Sequence, residues 1–379
     1  MFVVTIRSVQ ARTVVIPMRR NVAFSTRAVP ARAYTLTRIE CTDDTYGIGI
    51  VQHGGSRFTT LPSDAIRGLF AKLLVGDDPY RVEGIWADLY QDALHSGRHG
   101  AVMRALSAVD IALWDRNARA AGLPLWRYLG AARTDSVPAY ASGGYYYGPD
   151  GTLDDLVAEV RANVDRGYRA FKMKIGRETP RLDAERIRLV REVIGDDAPL
   201  LLDANNRWKD DLPAAVRALR QFERYDPYWI EEPFGVEDVA NHARLKRQTS
   251  IPVATGELLG GRWSFQALLL ADAASVVNPD VGVCGGVTEF RKIAATAASF
   301  GVPVAPHSLE DIHVHLVASI PGALFVECFP EEALHPMKAV VDSSLETTAD
   351  GGVRLPTRPG LGFEFIGQAV DRYAIDEWS

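Results

Sequence analysis

The chain has 379 residues, 47% of them hydrophobic and 24% charged, with a formal net charge of −6. That length suits two domains or one large α/β barrel with additions, and the composition is that of a soluble folded protein, not a disordered one. The acidic balance contains no Lys/Arg block, which argues against a nucleic-acid or anionic-membrane partner, and no apolar run approaches the roughly 18 residues of a membrane span.

Three cysteines, Cys41, Cys284 and Cys328, stand far apart. They form neither a disulfide framework nor a zinc spacing, as expected in a reducing compartment. The opening MFVVTIRSVQARTVV is interrupted by Arg7 and Arg12 and has no small-residue cleavage site. No signal peptide is read there, and the expected location is the cytoplasm.

Taken in chain order, residues 1–16 (MFVVTIRSVQARTVVI) and 32–51 (RAYTLTRIECTDDTYGIGIV) read as strands, being rich in Val, Ile, Thr and Tyr. From Ser63 to Ala121 the pattern is mainly helical, with Val102, Leu106, Val109 and Leu113 at helical spacing and Gly122 and Pro124 as the stop. Trp114 reads as helix core. Residues 1–125 are therefore expected to form an α+β domain.

From about Ser136 short apolar segments alternate with amphipathic ones. The candidate strands are VPAYASG, FKMKI, LLLDAN, YWIEEP, PVATGE, SVVNPD, VPVAPH and ALFVEC. Strands alternating with helices in this way point to an α/β fold, a closed parallel barrel spanning residues 126–333. An open doubly wound sheet finds no support, because Gly143-Gly144 and Gly285-Gly286 are bare pairs without a G-x-G-x-x-G continuation. Residues 334–379, with GGVRLPTRPGLGFEF, read as loop and short strand folding back on the N-terminal unit.

The strand ends carry the chemistry. Lys172 and Lys174 share one strand face, and then come Asp203 with Asn205, Glu231 with Glu232, Glu257, Asp280, His307 and Glu327. From Asp203 the steps are 28, 26, 23, 27 and 20 residues, about one strand–helix unit each. A single acid after an apolar run is normally a turn residue or helix cap. A register of Asp, Glu, His and Lys at one barrel mouth is better explained as a site.

Three carboxylates on consecutive strands, Asp203, Glu231 and Glu257, repel one another unless a cation joins them. An all-oxygen set suits Mg²⁺, with Mn²⁺ possible, better than Zn²⁺. Asp280 beside His307 makes a carboxylate–imidazole pair. A cation and a second lysine nearby are expected to lower a lysine pKa toward that of a base. Such a mouth suits removal of the weakly acidic proton beside a carboxylate, with the metal stabilising the resulting enediolate.

The motifs KMK (172–174), DAN (203–205), WIEEP (229–233), TGE (255–257), NPD (278–280), PH (306–307) and the late Glu327 resemble the enolase superfamily, specifically its mandelate racemase subgroup. The resemblance implies a modified TIM barrel, (β/α)7β, with an N-terminal capping domain. It implies Lys174 as the base on one face of the substrate carbon and Lys172 as its helper near the substrate carboxylate. Asp203, Glu231 and Glu257 match the metal ligands, His307 with Asp280 the opposite-face dyad, and Glu327 the acid beside the enediolate oxygen. Asn205 matches a substrate- or metal-shell contact and Glu232 a carboxylate behind the ligands, pointing opposite to Glu231 in the strand. A homo-oligomer is also implied.

Two features depart from the pattern. A Gly-Trp-Gly-Glu-like turn is replaced by Gly47-Ile48-Gly49-Ile50, and no aromatic residue follows Glu257. The specificity segments are expected at Pro17–Thr26, with Arg19, Arg20, Asn21 and Ser25, at Ser142–Tyr147, with Tyr145, at Arg98-His99 and at Asn206–Trp208. Arg19, Tyr145 and Glu232 are candidate substrate contacts. This polar set favours dehydration of a sugar acid. Racemisation or epimerisation, cycloisomerisation and, more remotely, a non-catalytic binding role are the alternatives. His313 and His315 lie two apart on an expected helix and should diverge. The cysteines read as packing groups, with Cys328 turned away from Glu327.

Overall fold

Three antiparallel strands open the chain: β1 (Ile6–Ala23), β2 (Ala28–Cys41) and β3 (Tyr46–His53), in the order β1-β2-β3. The computed structural model describes residues 4–53, 60–147, 151–331, 334 and 336–379. The first three residues of the first expected strand, and the expected boundary after residue 333, lie outside the described residues.

The strand expected over 32–51 is two strands. Asp43 Oδ1 accepts from the Thr45 amide (3.2 Å) and hydroxyl (2.6 Å), and Asp44 adopts φ 60°. These side-chain bonds offer the backbone a turn in place of the ladder. β3 then packs on the long helix Gly100–Ala120. A Cβ on Gly47 would stand 2.0 Å from Ala112 O, and one on Gly49 2.1 Å from Ala108 O. The Gly-Ile-Gly-Ile stretch is therefore a close helix–strand contact within β3, not a turn over the site. Trp114 is only half buried, and its indole N–H donates to Thr288 Oγ1 (2.8 Å) on the helix Gly286–Ser299.

The second unit begins with β4 (Ser136–Gly143) and continues through β5 (Phe171–Lys174), β6 (Leu200–Asp203), β7 (Trp229–Glu231), β8 (Val253–Thr255) and β9 (Val276–Val277) to β10 (Val326–Cys328). These strands pair in parallel, and β10 returns to β4. The segment expected as a strand at VPVAPH is reduced to single parallel bridges, Val277–Val304 and Val304–Ala323, which close the ring.

One buried residue from each turn of the ring fills its interior: Tyr140, Ala170, Leu201, Trp229, Ala254, Val276 and Ala305. Side chains in a strand alternate faces. The positions two residues further on therefore also face inward, above an apolar floor, at the carboxyl ends of the strands. They are Ser142, Lys172, Asp203, Glu231, Gly256, Asn278 and His307.

The C-terminal segment binds both units. β11 (Gly352–Arg354) pairs antiparallel with β4, while Val14 bridges Ala374 and Pro124 bridges Gly360. Asp376 accepts from the Thr13 amide (2.6 Å) and from Arg67 (2.5 Å). Gly360 has φ 71° and lies directly against Asp115. A Cβ there would lie 2.1 Å from Asp115 Oδ1, which accepts from the Leu361 amide at 2.6 Å. His315 joins three segments: its Nδ1 accepts from the Trp126 amide (3.1 Å) and its Nε2–H donates to Leu361 O (3.0 Å).

Burial pushes His315 down from 6.5 to about 4, and buried His53 likewise to about 4. A depressed histidine pKa means that the unfolded chain takes up protons that the folded chain refuses. The stabilisation is present above 6.5 and is lost as pH falls through about 4. Urea midpoints should therefore fall across that window, with a shallower slope in His315→Gln. An unchanged slope in that variant would exclude His315 as a contributor. Among the described residues, no helix is long and apolar enough to cross a membrane.

Candidate active site

Lys172 and Lys174 lie on β5, both buried. Arg186 fixes that strand end by donating to the carbonyls of Lys174 (2.7 Å) and Gly144 (2.7 Å). Lys172 Nζ donates to Glu231 Oε1 and Oε2 (2.9 and 3.1 Å) and stands 2.7 Å from Glu327 Oε1 and 3.7 Å from Asp203 Oδ2. Lys174 pairs with Asp203 and sits near the faces of Phe24 (5.2 Å) and Tyr145 (5.4 Å).

The expected lowering of a lysine pKa involves a bound cation, and the side chains by themselves act in the opposite direction. Burial opposes the charge on both lysines, but carboxylates outweigh it, Asp203 at Lys174 and Glu231 with Glu327 at Lys172. Both pKa values are raised. An ion pair at contact distance in a dry site is stronger than the repulsion between two ammonium groups further apart.

Oxygen atoms of Asp203, Glu231 and Glu257 lie within 4.8 Å of one another, and all three residues are buried. Asp203 is the last residue of β6 and Glu231 of β7, so adjacent strand ends bring them side by side. Glu257 follows Gly256, whose φ of 128° turns the chain where a Cβ would meet the Phe265 ring at 2.7 Å. Burial raises the Glu231 carboxyl to about 8 against the pull of Lys172, with Asp203 and Glu257 adding to the rise. Glu257 Oε2 is buried with no hydrogen-bond donor. Crowded oxygens, one of them orphaned, fit a small hard cation such as Mg²⁺.

On the other flank His307 Nδ1 lies 2.9 Å from Asp280 Oδ2, and its Nε2 lies 3.6 Å from Glu257 Oε2. Burial opposes its charge, but Glu257, Asp280 and Glu327 together raise His307 to about 9. Glu327 Oε2 accepts from the Ser308 amide (2.7 Å). Burial disfavours its charge, yet Lys172 and His307 hold its pKa below the usual range.

Glu232 lies outside β7, with φ 43°, so strand alternation does not set its direction. It is fully buried behind the ligands, takes a hydrogen bond from Asn206 Nδ2 (2.8 Å) and is pushed well up by burial and by Glu257. Its Oε1 is unpartnered. Asn205, also left-handed at φ 44°, donates its amide to Asp203 Oδ1 (2.9 Å) and keeps an unpartnered Oδ1.

The capping sheet reaches this mouth through the turn after β1. Ala23 bridges Tyr146, and Ser25 Oγ donates to Ala204 O (2.6 Å) beside the β6 carboxylate. Most of the expected loop 17–26 is strand, and strand alternation separates its two arginines. Arg20 stacks 3.4 Å over Tyr147 on the barrel side, with Met18 and Val22. Arg19 is exposed and lines a surface groove with Lys338 and Arg372. Arg98 donates to Tyr90 O (3.0 Å). Sequence reasoning passed over Asn278 as a candidate. Its Oδ1, like Ser142 Oγ, is buried and unpartnered two residues beyond the interior floor, and that spacing was the available signal.

Residues 6–130 match the mandelate racemase/muconate lactonizing enzyme N-terminal domain, and residues 155–369 the enolase C-terminal domain-like family. The chain belongs to the mandelate racemase subgroup of the enolase superfamily. It is 35% identical to a 3,6-anhydro-α-L-galactonate cycloisomerase of Streptomyces coelicolor over 89% of this chain and 90% of that one. It is 38% identical to an L-talarate/galactarate dehydratase of Salmonella typhimurium over 78% of this chain and 72% of that one. Among solved structures it resembles the Salmonella dehydratase liganded with Mg and L-lyxarohydroxamate (TM-score 0.91, 31% identity, covering 100% of this chain and 94% of that one). A racemase from Streptomyces coelicolor with bound magnesium is equally similar (TM-score 0.91, 31% identity, 98% and 100% covered). As an enolase-superfamily member the chain is an enzyme, and its Asp/Glu/Glu group is suited to hold a metal ion such as the magnesium of these neighbours.

Proposed function

We propose that the enzyme is an acid-sugar dehydratase, removing water from a sugar acid to give a 2-keto-3-deoxy acid. The carrying observation is that the carboxylate cluster is flanked by two different proton carriers, Lys174 on the Asp203 side and the His307–Asp280 pair on the Glu257 side. Mg²⁺ held by Asp203, Glu231 and Glu257 would supply positive charge for the substrate carboxylate. Lys174 takes the α-proton as the C–H bond breaks, the Lys172 ammonium donates to the oxygen edge of the enediolate, and Glu327 serves that edge only as the protonated acid. The β C–O bond then breaks as His307 delivers a proton, so the hydroxyl leaves as water. The enol product gains a proton at carbon and gives up its enol O–H proton to become the keto acid, and no redox partner is needed.

The names of the dehydratase relatives support this reading. Asn205, Tyr145, Ser142 and Asn278 are the proposed substrate contacts. A cycloisomerase is the second reading, favoured by the match over about nine-tenths of both chains to such an enzyme. We also read the protein as a cytoplasmic homo-oligomer in sugar-acid catabolism, a matter for light scattering and growth assays. Incubation of the Mg²⁺-loaded enzyme with a library of aldonic and aldaric acids should yield 2-keto acid from at least one. Inversion without keto acid would establish a racemase, and a lactone consumed without loss of water a cycloisomerase.

A further inference from the structure

His313 is fully buried on the helix Glu310–Ser319, outside the groups assigned above to metal or substrate. Its ring nevertheless spans the two loops that carry the His307–Asp280 pair. The Val281 amide donates to Nε2 at 3.0 Å, so Nε2 is an acceptor and the proton sits on Nδ1. Nδ1–H in turn donates to Ser308 O at 2.5 Å. Val281 directly follows Asp280, and Ser308 directly follows His307.

Both ends of this bridge are groups that the local backbone does not satisfy. Val281 opens the short helix Val281–Cys284, whose first amide has no partner within the helix. Ser308 and Leu309 are both left-handed, at φ 57° and 39°, a conformation that a non-glycine residue keeps only when its surroundings impose it. The Ser308 amide, on the other side of the same residue, donates to Glu327 Oε2 (2.7 Å). His313 thus closes a circuit: Asp280 to His307, His307 through Ser308 to Glu327, and Ser308 through the imidazole back to Val281.

We propose that His313 is a positioning residue, whose neutral Nδ1-protonated ring fixes the separation of the Asp280 and His307 loops and so the aim of His307 at the substrate. Lys174 lies on β5, braced by Arg186, and does not depend on this bridge. The inference rests on the reading above that His307 acts on the substrate. Loss of the bridge leaves a buried carbonyl and a buried amide unpaired. The loops then drift, and a misplacement of about 1 Å is enough for about a hundredfold loss of rate.

The test uses full-length Mg²⁺-loaded enzyme and whichever sugar acid the parent converts. His313→Leu and His313→Gln are compared with the parent for α-proton exchange in D₂O and for product formation, each per folded protein. The expected result is a split: exchange within about threefold of the parent, product formation down about 10- to 100-fold in His313→Leu and less in His313→Gln, which keeps a donor and an acceptor. Should the leucine variant not fold, the glutamine variant is judged by the same split. A common fall in both rates, or no fall in either, overturns the proposal and leaves His313 as a packing residue. His307→Asn separates the two levels. Full product formation in that variant would sink the dyad reading itself, whereas its loss without a split at His313 would sink only the positioning role.

Discussion

In Lys174→Ala, exchange of the substrate α-proton with D₂O falls by about 10²–10⁴-fold, the usual contribution of a positioned general base. The fold of the variant should survive. The strand end is held by Arg186 through the Lys174 carbonyl, which alanine retains. The buried Asp203 loses its nearest cation and keeps only the more distant Lys172, so addition of Mg²⁺ should stabilise this variant. If exchange persists at the parent rate, Lys174 is not the base. The alternative is then Lys172, whose contacts with Glu231 and Glu327 make it the poorer candidate because two carboxylates hold its proton.

Chelation of divalent cations should reduce exchange to background, with recovery on adding Mg²⁺. As the side chains stand, Lys174 shares its proton with Asp203 and is raised in pKa, and an ammonium is no base. When Asp203 is a ligand to Mg²⁺, its charge is no longer held by the lysine alone, and burial then favours the neutral amine. A readout independent of activity is available. Mg²⁺ at about a hundred times its Kd should add about 2.7 kcal/mol to stability, seen as a rise in melting temperature. In Glu257→Gln the rise should shrink, because one of three ligand charges is gone. An equal rise in parent and variant would place the cation elsewhere.

Much of this site is legible in the sequence because strand geometry is local. Side chains alternate with period two, so a single inward residue on each strand predicts the next. The apolar floor at Ala170, Leu201, Trp229 and Ala305 places Lys172, Asp203, Glu231 and His307 at the mouth, each two residues on. The capping strands were less legible. TDDT reads as strand by composition until the Asp43 carboxylate is seen to accept from Thr45. Arg19 and Arg20 are neighbours of the same type, and only the packing of β1 on the Tyr147 side turns one inward and the other out.

Which chemical groups surround the mouth, and in what order, is written along the chain, because strand–helix units of similar length deliver one group per strand. Tertiary structure alone decided how those groups share charge. Ring closure sets Lys172 against Glu327, and His313 between Ser308 and Val281, at distances that spacing along the chain does not encode. Set by the side chains alone, both lysine pKa values rise, because the carboxylates outweigh burial. The KMK motif places two lysines on one face, and the folded barrel gives Glu231 and Glu327 to Lys172 and sets Asp203 closest to Lys174. Coulomb energies at contact distance in a buried site outweigh everything that composition and periodicity can report.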